Sequence, residues 1–355
     1  MAWEAACFPR AWKILECPGN FAVHTQHMKF LRTGFKLLLA VVSTVAITAT
    51  AADVARPAKP KAETYLTPAE GGRDYADQGE YTSTWGGAQL IALGDDKFRL
   101  VLFKGGLPGA GWDGSARTEV EGKREGSSIV ITNTKNGWVN TISGGKIITK
   151  TDTDRTYEMA KTQRTSPTLG ARPPAGALAL FVGSNTDAWK DPHLDDRKLL
   201  QSGTKTKRDF TNYTLHVEFL LPFKPLGRGQ DRGNSGVYMQ DRYEVQVLDS
   251  FGLKGENNEC GGIYSKTKPS VNLCLPPLVW QTYDIDFEAA KFGDDGKKAK
   301  NAIITIKHNG VTIHDKTEIS GPTGGGKPES ADGGAIQLQG HGNPVFYRNI
   351  WLLEK

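Results

Sequence analysis

Hydrophobic and polar positions alternate along most of this chain in short runs, separated by turns rich in glycine, proline and asparagine. The clearest run is Asn212–Leu221, in which Leu215, Val217, Phe219 and Leu221 fall on one face of an extended strand. The same pattern predicts strands at Gly236–Gln240, Tyr243–Asp249, Tyr283–Phe287, Ala302–Lys307, Val311–His314, Ala335–Gln339 and Val345–Leu353. Asn309-Gly310 between two of these runs reads as a hairpin turn. Upstream, Ala88–Leu93, Phe98–Phe103, Ser128–Thr132 and Lys146–Ile148 have the same character. The glycine-rich stretch Gly105–Trp112 between them belongs to a loop, because it is unsuited to a helix interior. No run of ordinary helix length shows the helical period, and no internal repeat is visible. Many short strands with turns between them predict an all-β protein made of sandwiches or barrels.

Length and composition refine this picture. The 355 residues, with 41 glycines, suit two turn-rich β domains behind a targeting segment. A net charge of +5 with lysines, arginines and acids interspersed gives no basic block, so nucleic acid is not an expected partner. The strongly apolar stretch Leu37–Ala52 follows Lys29, Arg32 and Lys36 and ends in small residues. It reads as a cleavable signal peptide beginning at Met28, too short for a comfortable membrane span and lacking a lipobox cysteine. A retained N-terminal anchor is the alternative. The expected organisation is an upstream extension at 1–27, the signal at 28–52, a linker at 53–64, a small β-rich domain at 65–164, a proline-bearing linker at 165–176 and a second domain at 177–355. The expected location is secreted or periplasmic, with no stable membrane span once the signal is removed. Removal of the signal leaves Cys260 and Cys274 as the mature pair, expected to form a disulfide in an oxidising compartment, with two buried thiols as the other reading.

Candidate chemistry concentrates at Tyr243–Asp249. On a plain strand Glu244 and Gln246 share a face, while Val245 and Val247 pack on the other. Asp249 would point away unless a bulge near Leu248 re-aimed it. Two carboxylates and an amide on one face supply a base, an acid and a positioning group for glycosidic chemistry. A half-exposed strand with a polar outer face explains the spacing equally well. The acidic runs Asp191, Asp195, Asp196 and Asp294-Asp295-Gly296 are candidate sites for a divalent cation such as calcium, although neither follows the EF-loop pattern. Trp85, Trp112 and Trp138 in the first domain are either sugar-stacking residues or core.

From about Leu178 to Lys355 the chain resembles the 3-keto-disaccharide hydrolase family of the concanavalin A-like lectin and glucanase superfamily. The resemblance rests on Phe181-Val182-Gly183 leading to Trp189, on Phe210–Leu215, on Gly233-Asn234-Ser235-Gly236-Val237-Tyr238 and on Tyr243–Ser250. It continues through Gly261–Tyr264, Trp280–Asp284, Ile336–Gly342 and Phe346–Ile350. It implies a jelly-roll sandwich, a carbohydrate substrate and a functional link to a sugar 3-dehydrogenase that makes the keto substrate. The family also resembles retaining β-glucanases, whose catalytic strand reads Glu-x-Asp-x-x-Glu. Here the strand reads Glu-x-Gln-x-x-Asp, which removes a carboxylate and shortens another, against a double displacement.

A ketone at C3 acidifies the proton at C2, so a base can expel the C1 substituent by elimination, and water can then add to give net hydrolysis. On this implication Glu244 is the expected base and Gln246 an orienting donor. Asp249 and His341 are the expected further catalytic residues. Arg348, Asn234 and Tyr238 are expected to bind substrate. Arg348 would steady an enolate or pair with Glu244 or Asp249. A lectin-like binding protein, a conventional glucanase-like hydrolase and a surface scaffold are the alternatives.

Overall fold

The computed structural model describes residues 63–355, and its regular elements are almost wholly β-strands. The expected upstream extension, the signal and most of the first linker fall in 1–62, outside the described residues. Among the described residues no helix is long and apolar enough to cross a membrane.

A short helix, α1 (Gly72–Asp77), leads into β1 (Gly79–Thr82), β2 (Gly86–Gly94), β3 (Lys97–Lys104) and β4 (Thr118–Glu125). These continue into β5 (Ser128–Asn133), β6 (Trp138–Ser143), β7 (Lys146–Lys150) and β8 (Thr156–Thr162). Each strand pairs with the next, and β8 pairs with β1, so the small domain is a closed barrel. Tyr81, Leu90, Phe98, Leu100, Ile131 and Ile147 fill it, which makes the interior a packed core and not a channel. β2 is buried along its whole length because both of its faces are used. Ala88, Leu90 and Ala92 face the barrel core, while Ile91 and Leu93 join the core of the second domain. Phe223, from the second domain, packs in return into the barrel cluster.

The second domain contains β9 (Leu178–Phe181), β10 (Trp189–Lys190), β11 (Leu200–Gln201), β12 (Thr204–Thr206), β13 (Tyr213–Leu220), β14 (Ser235–Met239) and β15 (Tyr243–Val247). It continues with β16 (Gln281–Glu288), β17 (Lys291–Phe292), β18 (Lys298–Lys300), β19 (Ala302–His308), β20 (Val311–Ile319), β21 (Gln337–Leu338) and β22 (Phe346–Glu354). One sheet runs β10-β12-β21-β14-β15 and the other β11-β22-β13-β16-β19-β20, with β9 beside β22. Val237, Val245 and Val247 from the first sheet meet Leu215, Val217, Phe219 and Ile285 from the second in one buried cluster. The domain is therefore an all-β sandwich, held by the period-2 alternation of its strands. Asn309 and Gly310 take φ of 48° and 79°, the left-handed pair that a tight hairpin needs.

The stretch 165–176 lies across the outer face of the second sheet. Ser166 and Thr282 share a hydroxyl bond of 2.6 Å, and the Thr168 hydroxyl donates to Asp284 at 2.7 Å. The Gly170 N–H donates to Glu218 at 2.5 Å, and the Ala171 carbonyl accepts from Asn349 and Trp351. Trp112 packs edge-on against Phe103 at 5.3 Å, beside the joint between the domains. Trp85 and Trp138 flank Tyr157 at 5.6 and 6.4 Å on the barrel.

Cys260 and Cys274 correct the expected disulfide. Both are free thiols buried in the core of the second domain. The Cys260 thiol also meets the Tyr283 hydroxyl at 3.2 Å, so the second reading of this pair is the one observed.

Candidate active site

β14 and β15 pair antiparallel with Tyr238 opposite Glu244 and Gly236 opposite Gln246. Because Val245 and Val247 point into the sandwich core, Glu244 and Gln246 share the opposite face of the sheet, as the alternation predicts. The glycine at 236 has a direct reason. A Cβ there would lie 2.1 Å from Glu244 Oε1, so the carboxyl group rests across β14 in space that only glycine leaves open. Tyr283 crosses the core from the second sheet to donate to the Gln246 carbonyl at 2.6 Å, which fixes the strand from behind.

Glu244 is 2% exposed. The Tyr238 hydroxyl contacts Glu244 Oε2 at 2.8 Å, and the Glu244 N–H donates to Thr323 Oγ1 at 2.9 Å. No Lys, Arg or His among the described residues pairs with this carboxyl. Burial pushes it up to about 7, and the Tyr238 hydrogen bond only partly offsets that rise. Tyr238 also donates toward the Gly324 carbonyl at 2.7 Å and accepts from Gln339 Nε2 at 3.3 Å. Gln246 Nε2 and Asn234 Nδ2 both donate to Gln230 Oε1, at 2.8 and 3.1 Å. Two buried acceptors, Gln339 Oε1 and Asn234 Oδ1, have no partner within the protein. Unpaired buried acceptors of this kind suit a ligand rich in hydroxyl donors.

The structure thus gathers four of the expected residues, Glu244, Gln246, Tyr238 and Asn234. Asp249 is a correction. β15 ends at Val247 without a bulge, and the Asp249 carboxylate meets Arg232 Nε at 2.7 Å with no side-chain exposure. Burial raises its carboxyl while the Arg232 guanidinium pulls it back, so it is a locked partner and not a free acid. Arg348 is a second correction. It projects from the outer face of the other sheet, where it binds Glu218 at 2.7 Å and lies 3.9 Å over the Trp280 ring. A strand in the opposing sheet presents its outer residues on the far side of the core, so it meets neither Glu244 nor Asp249. His341 is exposed, two residues beyond Gln339, and is not among the partners of Glu244 or Tyr238.

Gly236, Gln230, Gln339, Thr323 and the strap at 321–326 are the parts that sequence reading missed. A glycine inside a predicted strand was the one available signal. Two residues of the acidic runs act as turn caps. Asp195 caps the N–H groups of Arg197 and Leu199, and Asp295 caps that of Lys297. Among the described residues no group of three or more His, Cys, Asp or Glu side chains is arranged to hold a metal.

Residues 176–353 match the family model of the 3-keto-alpha-glucoside-1,2-lyase-like domain. One candidate glycosyl hydrolase from Parabacteroides distasonis has a solved structure that is 32% identical, covering 51% of this chain and 84% of its own, with a TM-score of 0.48. Another from the same organism is 16% identical, covering 51% of this chain and 94% of its own, with a TM-score of 0.37. No curated protein matches the chain.

Proposed function

The chain belongs to the 3-keto-alpha-glucoside-1,2-lyase-like family, and from that premise we propose a secreted enzyme that cleaves 3-keto-glycosides by removing the C2 proton with Glu244. Membership itself carries a glycosidase-like activity of the hydrolase or lyase type. The observation that supports the finer reading is the Glu244 carboxyl, buried, without a cation and held near 7. A carboxylate in that state is a strong base at neutral pH, and a buried ion-paired one is not. A double displacement needs two carboxyl groups on one face at a set separation, and Asp249 is locked against Arg232 instead. Elimination across C1–C2 needs one base and help for the departing oxygen, and no nucleophile. Water then adds across the new double bond, giving net hydrolysis.

The unpaired acceptors of Gln339 and Asn234 offer bonds to sugar hydroxyls. A dehydrogenase that oxidises C3 of a glycoside is the reaction class that supplies this substrate. Glu244→Gln assayed on a 3-keto-glucoside is the test. Turnover is expected to fall by about 10²-fold or more, and unchanged turnover would remove Glu244 as the base.

A further inference from the structure

With Asp249 locked by Arg232 and Arg348 on the other sheet, elimination at this site lacks an acid for the departing oxygen. Among the described residues the proton-bearing side chain bonded to the Glu244 carboxyl is Tyr238, at 2.8 Å. The bonds around this phenol do not balance in every protonation state. Its single proton faces two acceptors, Glu244 Oε2 at 2.8 Å and the Gly324 carbonyl at 2.7 Å. An ionised Glu244 would compete with Gly324 for that proton, leaving one of two buried acceptors unpaired. A protonated Glu244 resolves the conflict, because it donates to the phenol oxygen while the phenol donates to Gly324. Gln339 can still donate to the second lone pair of that oxygen. The arrangement therefore has the proton inventory that follows abstraction, with a carbonyl oxygen occupying the phenol's forward bond.

We propose that Tyr238 is the catalytic acid of this site, and that the Gly324 carbonyl occupies the seat taken by the departing glycosidic oxygen during turnover. This rests on the reading of Glu244 as the base. The glycine-rich strap Gly321-Pro322-Thr323-Gly324-Gly325-Gly326 brings its backbone close to this seat. Gly325 has φ of +76°, and a Cβ on it would lie 3.2 Å from the phenol oxygen. In the reaction the Glu244 carboxylate takes the C2 proton, and the C–H electron pair passes to the C3 oxygen as an enolate. Collapse of the enolate restores the ketone, forms the C1–C2 double bond and expels the C1 oxygen with its bonding pair. That oxygen takes the phenol proton of Tyr238. The phenolate is refilled from the Glu244 carboxylic acid across the bond already present. One proton has moved from C2 to the leaving group, and both residues return to their starting states. Burial and the adjacent carboxylate raise the phenol well above its usual value, so it is fully protonated until a strongly basic oxygen forms beside it.

The experiment compares Tyr238→Phe with the wild type on two 3-keto-glucosides, one with a sugar or alkyl leaving group and one with a 4-nitrophenyl group. It also follows C2 hydrogen–deuterium exchange by NMR on a 3-keto-1-deoxy sugar, which has no leaving group. The sugar or alkyl glycoside is expected to lose about 10²-fold or more, the nitrophenyl one less than about 10-fold, and C2 exchange is expected to persist. Persisting exchange also reports a folded site. Equal losses on both substrates, no loss on either, or loss of exchange in Tyr238→Phe would each overturn Tyr238 as the acid while the base reading stands. A wild type that neither exchanges C2 nor cleaves either substrate would overturn both.

Discussion

Arg232 grips the Asp249 carboxylate at 2.7 Å with both side chains buried, and the same guanidinium reaches the Ala92 carbonyl of the barrel at 3.3 Å. Arg232 also donates to the carbonyls of Pro225 and Gly227. The acidic residue that ends the Glu-x-Gln-x-x-Asp pattern is thus a rivet between sandwich and barrel. Removing one partner of a buried pair strands the other charge, which costs about 3–5 kcal/mol. Asp249→Ala is therefore expected to lower the midpoint of urea unfolding sharply. A variant with wild-type stability and no turnover would instead make Asp249 a member of the reacting set.

Glu244 makes the opposite trade between activity and stability. Its folded carboxyl is raised from 4.5 to about 7, so the native state binds more protons than the unfolded chain between those values. Stability from this group accordingly falls as pH rises through that window, by on the order of 3 kcal/mol at alkaline pH. Glu244→Gln is expected to match the wild type near pH 4 and to unfold at higher urea near pH 8. Turnover of the wild type should rise with pH and level off above about 7 as the base ionises. A rate that falls as pH rises through 7, or a glutamine variant that is less stable at pH 8, would contradict this account.

How far the sequence disclosed these arrangements depends on how local their causes are. The strands of the sandwich were legible because each alternates on its own, as Tyr213–Leu220 and Ala302–His308 do. β4 escaped because the inward face of Thr118–Glu125 carries Val120 as its one apolar side chain, followed by Gly122 and the buried side chain of Arg124, which hides the period of two. Closure of the barrel depends on β1 meeting β8, a pairing of residues about 80 positions apart that no local pattern announces. Within the site, the shared face of Glu244 and Gln246 followed from strand geometry alone. The fates of Asp249 and Arg348 did not, because each is set by a partner brought in from another part of the fold. The strap over Glu244 reads in sequence as an ordinary glycine-rich loop.

Gly236 gives a test of geometry separate from chemistry. An alanine methyl would sit 2.1 Å from Glu244 Oε1, and the flexible carboxyl is the part that must move. Displacement of a reacting group by about 1 Å costs about 10²-fold in rate. Gly236→Ala is expected to lose activity of that order, with a change in unfolding midpoint much smaller than that of Asp249→Ala. Activity within a few-fold of wild type would mean that Glu244 works from another position.

The strap at 166–171 is held by charges that titrate in opposite directions. Glu218 is lowered to about 2: burial opposes its ionisation but is outweighed by bonds from His216, Asn349, Arg348 and the Gly170 N–H. His216 is raised despite burial, through Asp284 at 2.6 Å and Glu218. The depressed carboxyl stabilises the fold above its unfolded value near 4.5, and that contribution is lost as pH falls toward about 2. The raised imidazole stabilises it below the usual histidine value, and that contribution is lost as pH rises through its elevated folded value. Both act together between those limits, so amide exchange at Gly170 and Ala171 should be slowest in weakly acidic buffer. Glu218→Gln removes the charge that both Arg348 and His216 face, and it should speed exchange at Gly170 while leaving C2 deuterium exchange at the Glu244 site near its wild-type rate. A loss of C2 exchange in this variant would mean that the outer face of the second sheet is coupled to the reaction through the core.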